Sequence, residues 1–325
     1  MHKNGSFRTE IVEQLFAKQK TIDTWFAEQE IKTPILPYTS IDLRDSGFKV
    51  SPVDSNAFPA GFNNICSQDW GVAANGFKKV LKVKDQTPKN IILIPENHTT
   101  NLQYFENIWV LKHILELARF TVTVAHLNPE LKIEEVTTSS GNTLAVERLF
   151  REDDLLRTEK QKFTEDDLVL LNNDLSTGVP SELKNLKHVV TPHPLMGWYH
   201  RRKSQHLKHY WDLSGEFAQL LGIDPWLIRP HFDNVEAVDF MSGTGVETLA
   251  ERVSLLLEKI KKDYQLHRIE SNPFVFIKHD AGTYGRSIMS VKSPEEVLHM
   301  NRRSKNKMHV GKRRSSMRAS PGICR

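Results

Sequence analysis

The pattern of hydrophobic and polar positions changes period several times along the chain, and each change predicts an element. Apolar side chains that recur every three to four residues, with charges between them, predict amphipathic helices. Short continuous apolar runs predict strands that are buried on both faces, as in a parallel sheet. The predicted helices cover residues 7–29, 102–118, 207–221 and 246–263. The predicted strands cover residues 91–95, 120–125, 168–171 and 188–190.

The strand at 91–95, the helix at 102–118 and the strand at 120–125 have the order and spacing of a βαβ unit. Such units bind ligands at the carboxyl ends of their parallel strands. Polar side chains come directly after two of the strands, namely Glu96, Asn97 and His98 after the first, and Asn173, Asp174 and Ser176 after the strand at 168–171. We therefore expect an α/β fold whose polar sheet edge binds a ligand. A helix N-cap is the open alternative for Asp174 and Ser176.

Residues 44–64 are dense in Gly, Pro, Asn and Asp, which predicts a long irregular segment rather than a helix or an extended strand. Long loops of this kind are uncommon and are often functional. The segment mixes both charge signs with amide side chains, a combination that suits a zwitterionic amino acid. The candidates are Arg44 and Lys49 for a carboxylate, Asp45 and Asp54 for an ammonium, and Asn56, Asn63 and Asn64 as amides. The alternative is a structural loop that satisfies its own polar groups through Asx turns.

A strand that ends in a lysine and is followed by small residues lies at 274–291. Gly282 and Gly285 supply backbone freedom that a Cβ would forbid. The predicted structure is a hairpin whose small loop lies against a ligand, with backbone N–H groups and the charge of Lys278 attracting an anion. The order G-x-x-x-x-G-K-[ST] is absent, so this is not a Walker loop. An ordinary surface hairpin with turn glycines is the alternative.

Residues 278–285, with the sequence KHDAGTYG, resemble the nucleotide-binding hairpin of ATP-grasp enzymes. More narrowly, they resemble the proteobacterial glutamate–cysteine ligase family of the Thiobacillus type. Further stretches resemble the same family, and together they cover most of residues 38–310; they are 44–64, 95–99, 172–180, 198–206 and 222–226. The resemblance implies a Rossmann-like, substrate-binding region over 1–230 and an incomplete ATP-grasp-like α+β region over 231–311.

The resemblance also implies a reaction, which is the ATP-dependent joining of the L-glutamate γ-carboxylate to the L-cysteine amine. This is the first step of glutathione synthesis and would pass through γ-glutamyl phosphate, with ATP and Mg²⁺ as cofactors. The implied catalytic residues are Lys278 and Arg44. The implied ATP contacts are Lys278, Asp280, Gly282, Thr283, Tyr284, Gly285 and Ser287. The implied amino-acid contacts are Arg44, Lys49, Asp54, Asn56, Asn63, Asn64, Asn173, Asp174 and Ser176, with Arg201 and Arg202 from a run of three cations.

Two other interpretations of the function stay open. The chain could be a related ATP-grasp ligase with different amino-acid substrates, or an inactive remnant that binds a nucleotide or an amino acid. No metal ligands are identified, because the family holds Mg²⁺ with residues that follow the hairpin. Only about thirty-five residues follow it here.

Composition places the chain among ordinary globular proteins, with 325 residues, 39% hydrophobic and 26% charged. The net charge of +4 is local, because residues 301–325 hold nine Lys or Arg and the rest therefore carries 4 − 9 = −5. This short basic stretch contains no aromatic residue, which argues against nucleic-acid binding. The two cysteines, Cys66 and Cys324, suggest no disulfide framework. No apolar run reaches the length of a membrane span, so we expect a cytoplasmic protein of undetermined oligomeric state.

Residues 312–325 resemble nothing in the family and show no periodicity, carboxylate or strand signal. We expect them to be a disordered, aberrant tail. The accompanying hypothesis is that the chain is truncated or frame-shifted, with its native reading ending near Gly311.

Overall fold

The computed structural model describes residues 6–96, 101–128, 135–281, 288–308 and 317–321. Within them, the α-helices are α1 (Ser6–Ala17), α2 (Gln19–Lys32), α3 (Trp70–Val80), α4 (Leu102–Leu117), α5 (Lys203–Leu221), α6 (Val246–Leu266), α7 (Pro294–Leu298) and α8 (Arg302–Met308). Short 3-10 helices occur at Phe62–Asn64, Ser67–Asp69, Ser181–Leu183, Pro194–Met196 and Pro225–Leu227.

The strands of the described residues form one parallel sheet, one antiparallel sheet and three hairpin pairs. They are β1 (Ser40–Asp45), β2 (Val50–Asn56), β3 (Asn90–Pro95), β4 (Thr121–His126), β5 (Glu135–Thr137), β6 (Thr143–Ala145), β7 (Glu147–Arg148), β8 (Phe150–Glu152), β9 (Leu155–Arg157), β10 (Leu168–Asn172), β11 (Val190–Thr191), β12 (Asp233–Val235), β13 (Val275–His279), β14 (Ile288–Val291) and β15 (Met317–Pro321).

The chain divides into two compact units that are not contiguous in sequence. The first unit comprises Met1–Thr33, Ile41–Ser55 and Arg201–Arg325, and the second comprises Pro34–Ser40 and Asn56–His200. This division differs from the expected boundaries near residues 230 and 311. The reason is that the β1–β2 hairpin and α5 pack with the C-terminal part of the chain, so the chain enters the first unit three times.

The second unit is built on a five-stranded parallel sheet in the order β11-β10-β3-β4-β7. Ile91 and Leu93 belong to a core cluster that includes α4, whereas Ile92 and Ile94 belong to a separate cluster with Phe58. All four isoleucine and leucine side chains are essentially inaccessible to solvent. Because alternate residues of a strand point to opposite faces, the continuous apolar run reflects a sheet that is covered on both sides. The strands predicted at 91–95, 120–125 and 168–171 and the βαβ unit are confirmed, whereas the strand predicted at 188–190 is the half-buried Val190–Thr191.

The first unit contains a four-stranded sheet in the order β12-β15-β13-β14, packed against α6. The hairpin prediction is confirmed, because β13 and β14 pair antiparallel from Val275↔Val291 to Lys278↔Ile288. The expectation that residues 312–325 lack regular structure is wrong for Met317–Pro321. These residues pair antiparallel with β13 on one side and β12 on the other. Their strand conformation depends on the backbone partners that two remote strands offer, which local composition does not report.

The N-terminal helical pattern predicted one helix over 7–29, but the structure has two, α1 and α2, separated at Lys18. Lys18 leaves the helical region, with φ −111° and ψ 16°, and its Nζ donates to the main-chain oxygen of Leu220 at 2.9 Å. Ile22 then packs with Ala218 and Leu221 of α5. The break therefore follows from packing against α5 and not from a helix-breaking residue.

The expectation of an irregular segment from Arg44 onward is wrong for residues 44–56, which continue β1, turn and form β2. Gly47 occupies the turn with φ +84°, a region that favours glycine. The Asp45 carboxylate accepts from the Gly47 N–H at 2.7 Å, and the Ser46 N–H donates to Lys49 O at 3.0 Å. The polar residues that predicted a loop therefore supply the turn of a hairpin.

No helix in the part of the chain that the structure describes has both the length and the hydropathy that crossing a bilayer requires.

Candidate functional site

Three segments of the first unit are joined by hydrogen bonds: the end of β2, the end of β13 and the start of α5. Lys278, at the end of β13, donates from Nζ to Val53 O at 3.1 Å and is only 7% exposed. Lys203, the first residue of α5, places Nζ 2.5 Å from Asp54 Oδ2. Two lysines from distant parts of the chain therefore meet adjacent residues of β2.

Arg201 extends this network on the other side of Asp54. Its guanidinium donates to Ser55 O at 3.1 Å and to Ser55 Oγ at 2.6 Å. Burial lowers the pKa of Arg201, and the Asp54 carboxylate opposes this effect. The neighbouring Arg202 donates to the Arg201 main-chain oxygen at 2.9 Å and forms the N-cap position of α5.

Asp280 closes the start of α5. Its Oδ1 accepts from the Ser204 N–H and its Oδ2 accepts from the Ser204 hydroxyl, both at 2.7 Å. Its main-chain oxygen also accepts from the Lys203 N–H at 3.0 Å. The first N–H groups of a helix have no partner within the helix, so a carboxylate here is well placed both as a cap and against the positive helix end.

A small cleft opens beside this network. Its lining residues come from β2 and the first turns of α5, and they are Pro52, Val53, Asp54, Ser55, Lys203, His206 and Leu207. The Asp54 side chain is 35% exposed, so its carboxylate is accessible to a ligand. The cleft thus offers one carboxylate beside cationic side chains, which suits a small molecule that carries both an amine and an acid.

Lys49 belongs to a different part of the first unit, although the sequence grouped it with Asp54. Its side chain is only 5% exposed, and its Nζ lies 4.6 Å from the ring centroid of Trp226. Trp226 in turn stacks on His267 at 3.9 Å. Burial lowers the pKa of Lys49 to about 7, against the attraction of Asp263 and Asp224. These contacts account for the burial of the Lys49 side chain without a bound ligand.

Arg44, the other predicted catalytic residue, lies on β1 with an exposed side chain. No contact of the described residues joins it to Lys278. Its catalytic role therefore stays a prediction.

The remaining predicted amino-acid contacts lie in the second unit. Asn56 forms an Asx turn, its Oδ1 accepting from the Phe58 N–H at 3.0 Å. Asn63 and Asn64 lie in the 3-10 helix Phe62–Asn64. The Asn56 turn fits the alternative in which the segment satisfies its own polar groups, and a role for the three asparagines in substrate binding stays a prediction.

At the carboxyl edge of the parallel sheet, polar side chains after β3 and β10 meet, as predicted. Glu96 accepts from the Asp174 N–H at 2.5 Å, and Asn173 donates from Nδ2 to Pro95 O at 3.1 Å. Burial raises the pKa of Glu96 to about 7, and the Asp174 carboxylate adds to the rise. Asp174 also accepts from the Ser176 N–H at 2.9 Å, which is an Asx turn. Among the described residues the next helical element begins at Ser181, so neither Asp174 nor Ser176 forms the helix N-cap kept open as the alternative. The edge is therefore polar and holds a titratable carboxyl group.

Part of the predicted ATP-binding loop lies outside the described residues. This applies to Gly282, Thr283, Tyr284, Gly285 and Ser287, and also to Asn97 and His98 of the sheet edge. Of the predicted ATP contacts, Lys278 and Asp280 can be placed.

Three residues of the network were not singled out from the sequence: Lys203, Ser55 and Ser204. The run of three cations at 201–203 was a signal for Lys203. Ser55 and Ser204 carry no local signal, because their partners lie 146 and 76 residues away.

The described residues contain no group of three or more His, Cys, Asp or Glu side chains able to hold a metal ion.

The parallel sheet of the second unit and the antiparallel sheet of the first unit, which also holds the cleft, define a mixed α/β protein. The family model for glutamate–cysteine ligase matches residues 12–319. The chain belongs to the glutamate–cysteine ligase family.

A crystal structure at 1.90 Å of a protein from Methylobacillus flagellatus KT, assigned as a gamma-glutamylcysteine synthetase, is similar to this chain with a TM-score of 0.87. The two are 36% identical, over 98% of this chain and 74% of that chain. A D-alanyl-alanine synthetase A from Vibrio cholerae O1 biovar eltor matches with a TM-score of 0.40 and 10% identity, over 74% of this chain and 60% of that chain, a level that carries no conclusion. No curated protein sequence matches the chain.

Together, the family match and the first structural similarity support formation of γ-glutamylcysteine. The sequence-based interpretation of the chain as a glutamate–cysteine ligase is confirmed.

Proposed function

We propose that this chain uses ATP to activate the γ-carboxylate of L-glutamate and then joins it to the amine of L-cysteine in the cleft at the start of α5. In the first step a γ-carboxylate oxygen attacks the terminal phosphorus of ATP, giving γ-glutamyl phosphate and ADP. In the second step the cysteine amine attacks the acyl carbon, phosphate leaves, and the amine releases a proton. One ATP is converted to ADP and phosphate for each γ-glutamylcysteine formed.

The observation that carries the proposal is the convergence of Lys278, Lys203 and Arg201 on three consecutive residues of β2, beside a cleft with the accessible carboxylate of Asp54. Phosphoryl transfer has little covalent chemistry for the protein to perform, so positioning and charge neutralisation dominate it. Cations that the fold has already placed and partly desolvated meet that requirement without reorganisation.

The proposed roles follow from these positions. Lys278 lies at the base of the KHDAGTYG segment and neutralises charge on the ATP phosphates. Arg201, with a planar guanidinium, suits a carboxylate of the amino-acid substrate. Asp54 accepts from a substrate ammonium, which would compete with Lys203 for its oxygens.

A separate polar surface lies within the second unit. Asn173, Asp174 and Glu96 lie at the carboxyl edge of the parallel sheet, the position at which open α/β sheets bind ligands. We assign them to amino-acid recognition, together with Asn56, Asn63 and Asn64. The ATP-grasp-like character of the region around β13 and β14, and the use of ATP as its magnesium complex, also belong to the proposal. Because the reaction requires ATP and cysteine with a free thiol, the proposal places the protein in the reducing cytoplasm.

The test is an assay of this chain with ATP, Mg²⁺, L-glutamate and L-cysteine. Phosphate release is measured continuously, and γ-glutamylcysteine is identified by mass spectrometry. We expect phosphate release that requires both amino acids, with one product molecule for each phosphate. Release with another amine in place of cysteine, but not with cysteine, would favour a related ligase. No release under any combination would overturn the proposal and favour an inactive binding protein.

Lys278→Met is the matched loss-of-function variant, because it keeps the length of the side chain and removes its charge. Lys84→Met is the control, because Lys84 is an exposed lysine of the second unit that pairs only with Glu165 and Asp166 in the contacts that the structure gives it. The proposal expects loss of ligation in the first variant and ordinary ligation in the second.

A further inference from the structure

Asp280 was predicted to contact ATP, but its described surroundings give it a different task. The residue is 2% exposed, and both of its carboxylate oxygens accept hydrogen bonds from Ser204 at 2.7 Å. Its main-chain oxygen takes the Lys203 N–H at 3.0 Å. Asp280 therefore holds the first turn of α5 through three hydrogen bonds, two from Ser204 and one from the main-chain N–H of Lys203.

The same residue lies two positions after Lys278, at the end of β13. Lys278 and Lys203 reach adjacent residues of β2, with Nζ 3.1 Å from Val53 O and 2.5 Å from Asp54 Oδ2 respectively. The relative position of these two amines thus depends on how β13 is joined to α5. In the described residues that joint includes the Asp280 contacts with Lys203 and Ser204.

We propose that Asp280 is a positioning residue for the ligation reaction: through Ser204 it fixes the start of α5 against the end of β13, and so sets Lys203 and Arg201 relative to Lys278. This inference rests on the proposed function, since it assumes that those cations act on the substrates. A carboxylate suits the task because its two oxygens accept from the N–H and the hydroxyl of one residue together. Charged hydrogen bonds to a helix N-terminus are also stronger than neutral ones.

A positioning role for Asp280 can be distinguished from a role as a direct ligand of ATP or of its metal ion. A direct ligand would act independently of Ser204. A positioning residue would act only through it, so the effects of the two residues on kcat would not multiply.

The experiment compares the full chain with Asp280→Asn, Ser204→Ala, Ser204→Thr and the double variant Asp280→Asn/Ser204→Ala. Asp239→Asn is the matched control, because Asp239 also accepts from main-chain N–H groups of a turn in the first unit, with Oδ1 2.8 Å from Met241 N. The readouts are kcat, KM for ATP and for glutamate, and amide hydrogen exchange of residues 203–207.

We expect Asp280→Asn to lower kcat roughly 10-fold to 100-fold, since a misplacement of about 1 Å can cost that much. Ser204→Ala is expected to lower kcat by a smaller factor, and the double variant to be no slower than Asp280→Asn within about 2-fold. Ser204→Thr keeps the hydroxyl and should restore kcat. Exchange at the start of α5 should accelerate in Asp280→Asn and stay unchanged in Asp239→Asn.

The inference would be overturned if the reductions in kcat caused by Asp280→Asn and Ser204→Ala multiplied in the double variant. It would also be overturned if high Mg²⁺ restored the rate of Asp280→Asn, because that result is typical of a metal ligand. A rate for Asp280→Asn equal to that of Asp239→Asn would overturn it as well, while leaving the proposed function intact. An inactive parent chain would instead overturn the proposed function and this inference with it. If Asp280→Asn does not fold, the comparison of Ser204→Ala with Ser204→Thr decides, because equal rates in those two variants contradict a role for the Asp280–Ser204 bond.

Discussion

Lys203 and Asp54 form an ion pair, with Nζ and Oδ2 2.5 Å apart, although 149 residues separate them in the sequence. The Lys203 side chain is 8% exposed and the Asp54 side chain 35% exposed, so the pair lies at the edge of the cleft with its cation buried. A buried cation that loses its partner is destabilising, whereas a pair replaced as a whole by apolar groups costs little.

The first prediction concerns this pair. Asp54→Leu should destabilise the chain by about 1 to 3 kcal/mol, because it leaves the buried Lys203 amine without that carboxylate. The double variant Asp54→Leu/Lys203→Met should recover part of the loss. Urea unfolding of the parent, both single variants and the double variant gives the coupling energy. A loss in the double variant equal to the sum of the two single-variant losses would show that the pair contributes nothing.

The second prediction concerns catalysis by Lys278. Lys278→Met should lower kcat/KM for ATP by roughly 100-fold or more, the usual effect of removing a placed donor from a site that stabilises transition-state charge. Lys278→Arg keeps the charge but not the compact ammonium, and should retain more activity than Lys278→Met. Steady-state kinetics at saturating glutamate and cysteine measure both. A loss in Lys278→Met below about 3-fold would remove Lys278 from the chemistry.

The third prediction uses the pKa of Lys49, which burial lowers from 10.5 to about 7. Between these values the unfolded chain binds a proton that the folded chain lacks, so this group makes the free energy of unfolding rise with pH. Below pH 7 both states are protonated, and the folded state bears the full cost of burying the charge. That cost is at most about 5 kcal/mol for a shift from 10.5 to about 7.

Lys49→Met should therefore be more stable than the parent at pH 6.5, with an advantage that shrinks as the pH rises toward 10. The charged groups that act on Lys49 are Asp263 and Asp224, and it also acts on His231, which pairs with Asp263. The difference between the two unfolding curves therefore reports Lys49 together with its effect on these groups. An advantage that is constant with pH would contradict the assignment.

The fourth prediction concerns Glu96, whose pKa burial and the Asp174 carboxylate raise from 4.5 to about 7. Between these values the folded chain binds a proton that the unfolded chain lacks, so this group makes stability fall as the pH rises from 4.5 through 7. Glu96→Gln keeps an oxygen for the Asp174 N–H and cannot ionise. It should be up to about 3 kcal/mol more stable than the parent at pH 8, and equal to it at pH 4.5.

Thermal unfolding at both pH values measures this difference. Glu159→Gln is the control, because Glu159 is an exposed carboxylate of the same unit. A stability gain in Glu96→Gln that is the same at pH 4.5 and pH 8 would exclude the proposed titration.

Local patterns in the sequence were enough to predict the elements whose buried face is marked by the periodicity of their apolar residues. The run at 91–95 became β3, the pattern at 246–263 became α6, and the lysine-ended strand became β13, paired with β14 as a hairpin. In each case the spacing of the apolar residues indicates which side chains are buried, because strands bury alternate residues and helices bury residues three to four positions apart.

The rest depends on partners that are remote in sequence. Met317–Pro321 became a strand because β12 and β13 present backbone groups to it, and the Asp54 carboxylate met Lys203 because β2 lies beside α5. Lys49, which the sequence grouped with Asp54 as a substrate contact, packs on Trp226 instead of beside Asp54. The partner of each of these residues is set by tertiary packing that single-sequence patterns do not encode.

The central claim is that the glutamate γ-carboxylate attacks ATP in the cleft served by Lys278. The most direct test supplies L-glutamate labelled with ¹⁸O in its γ-carboxylate and analyses the released phosphate by mass spectrometry. The account predicts one labelled oxygen in each phosphate, release that requires cysteine, and labelled phosphate that Lys278→Met forms roughly 100-fold more slowly. Phosphate that is released without label, or labelled phosphate that Lys278→Met forms at the parent rate, would contradict it.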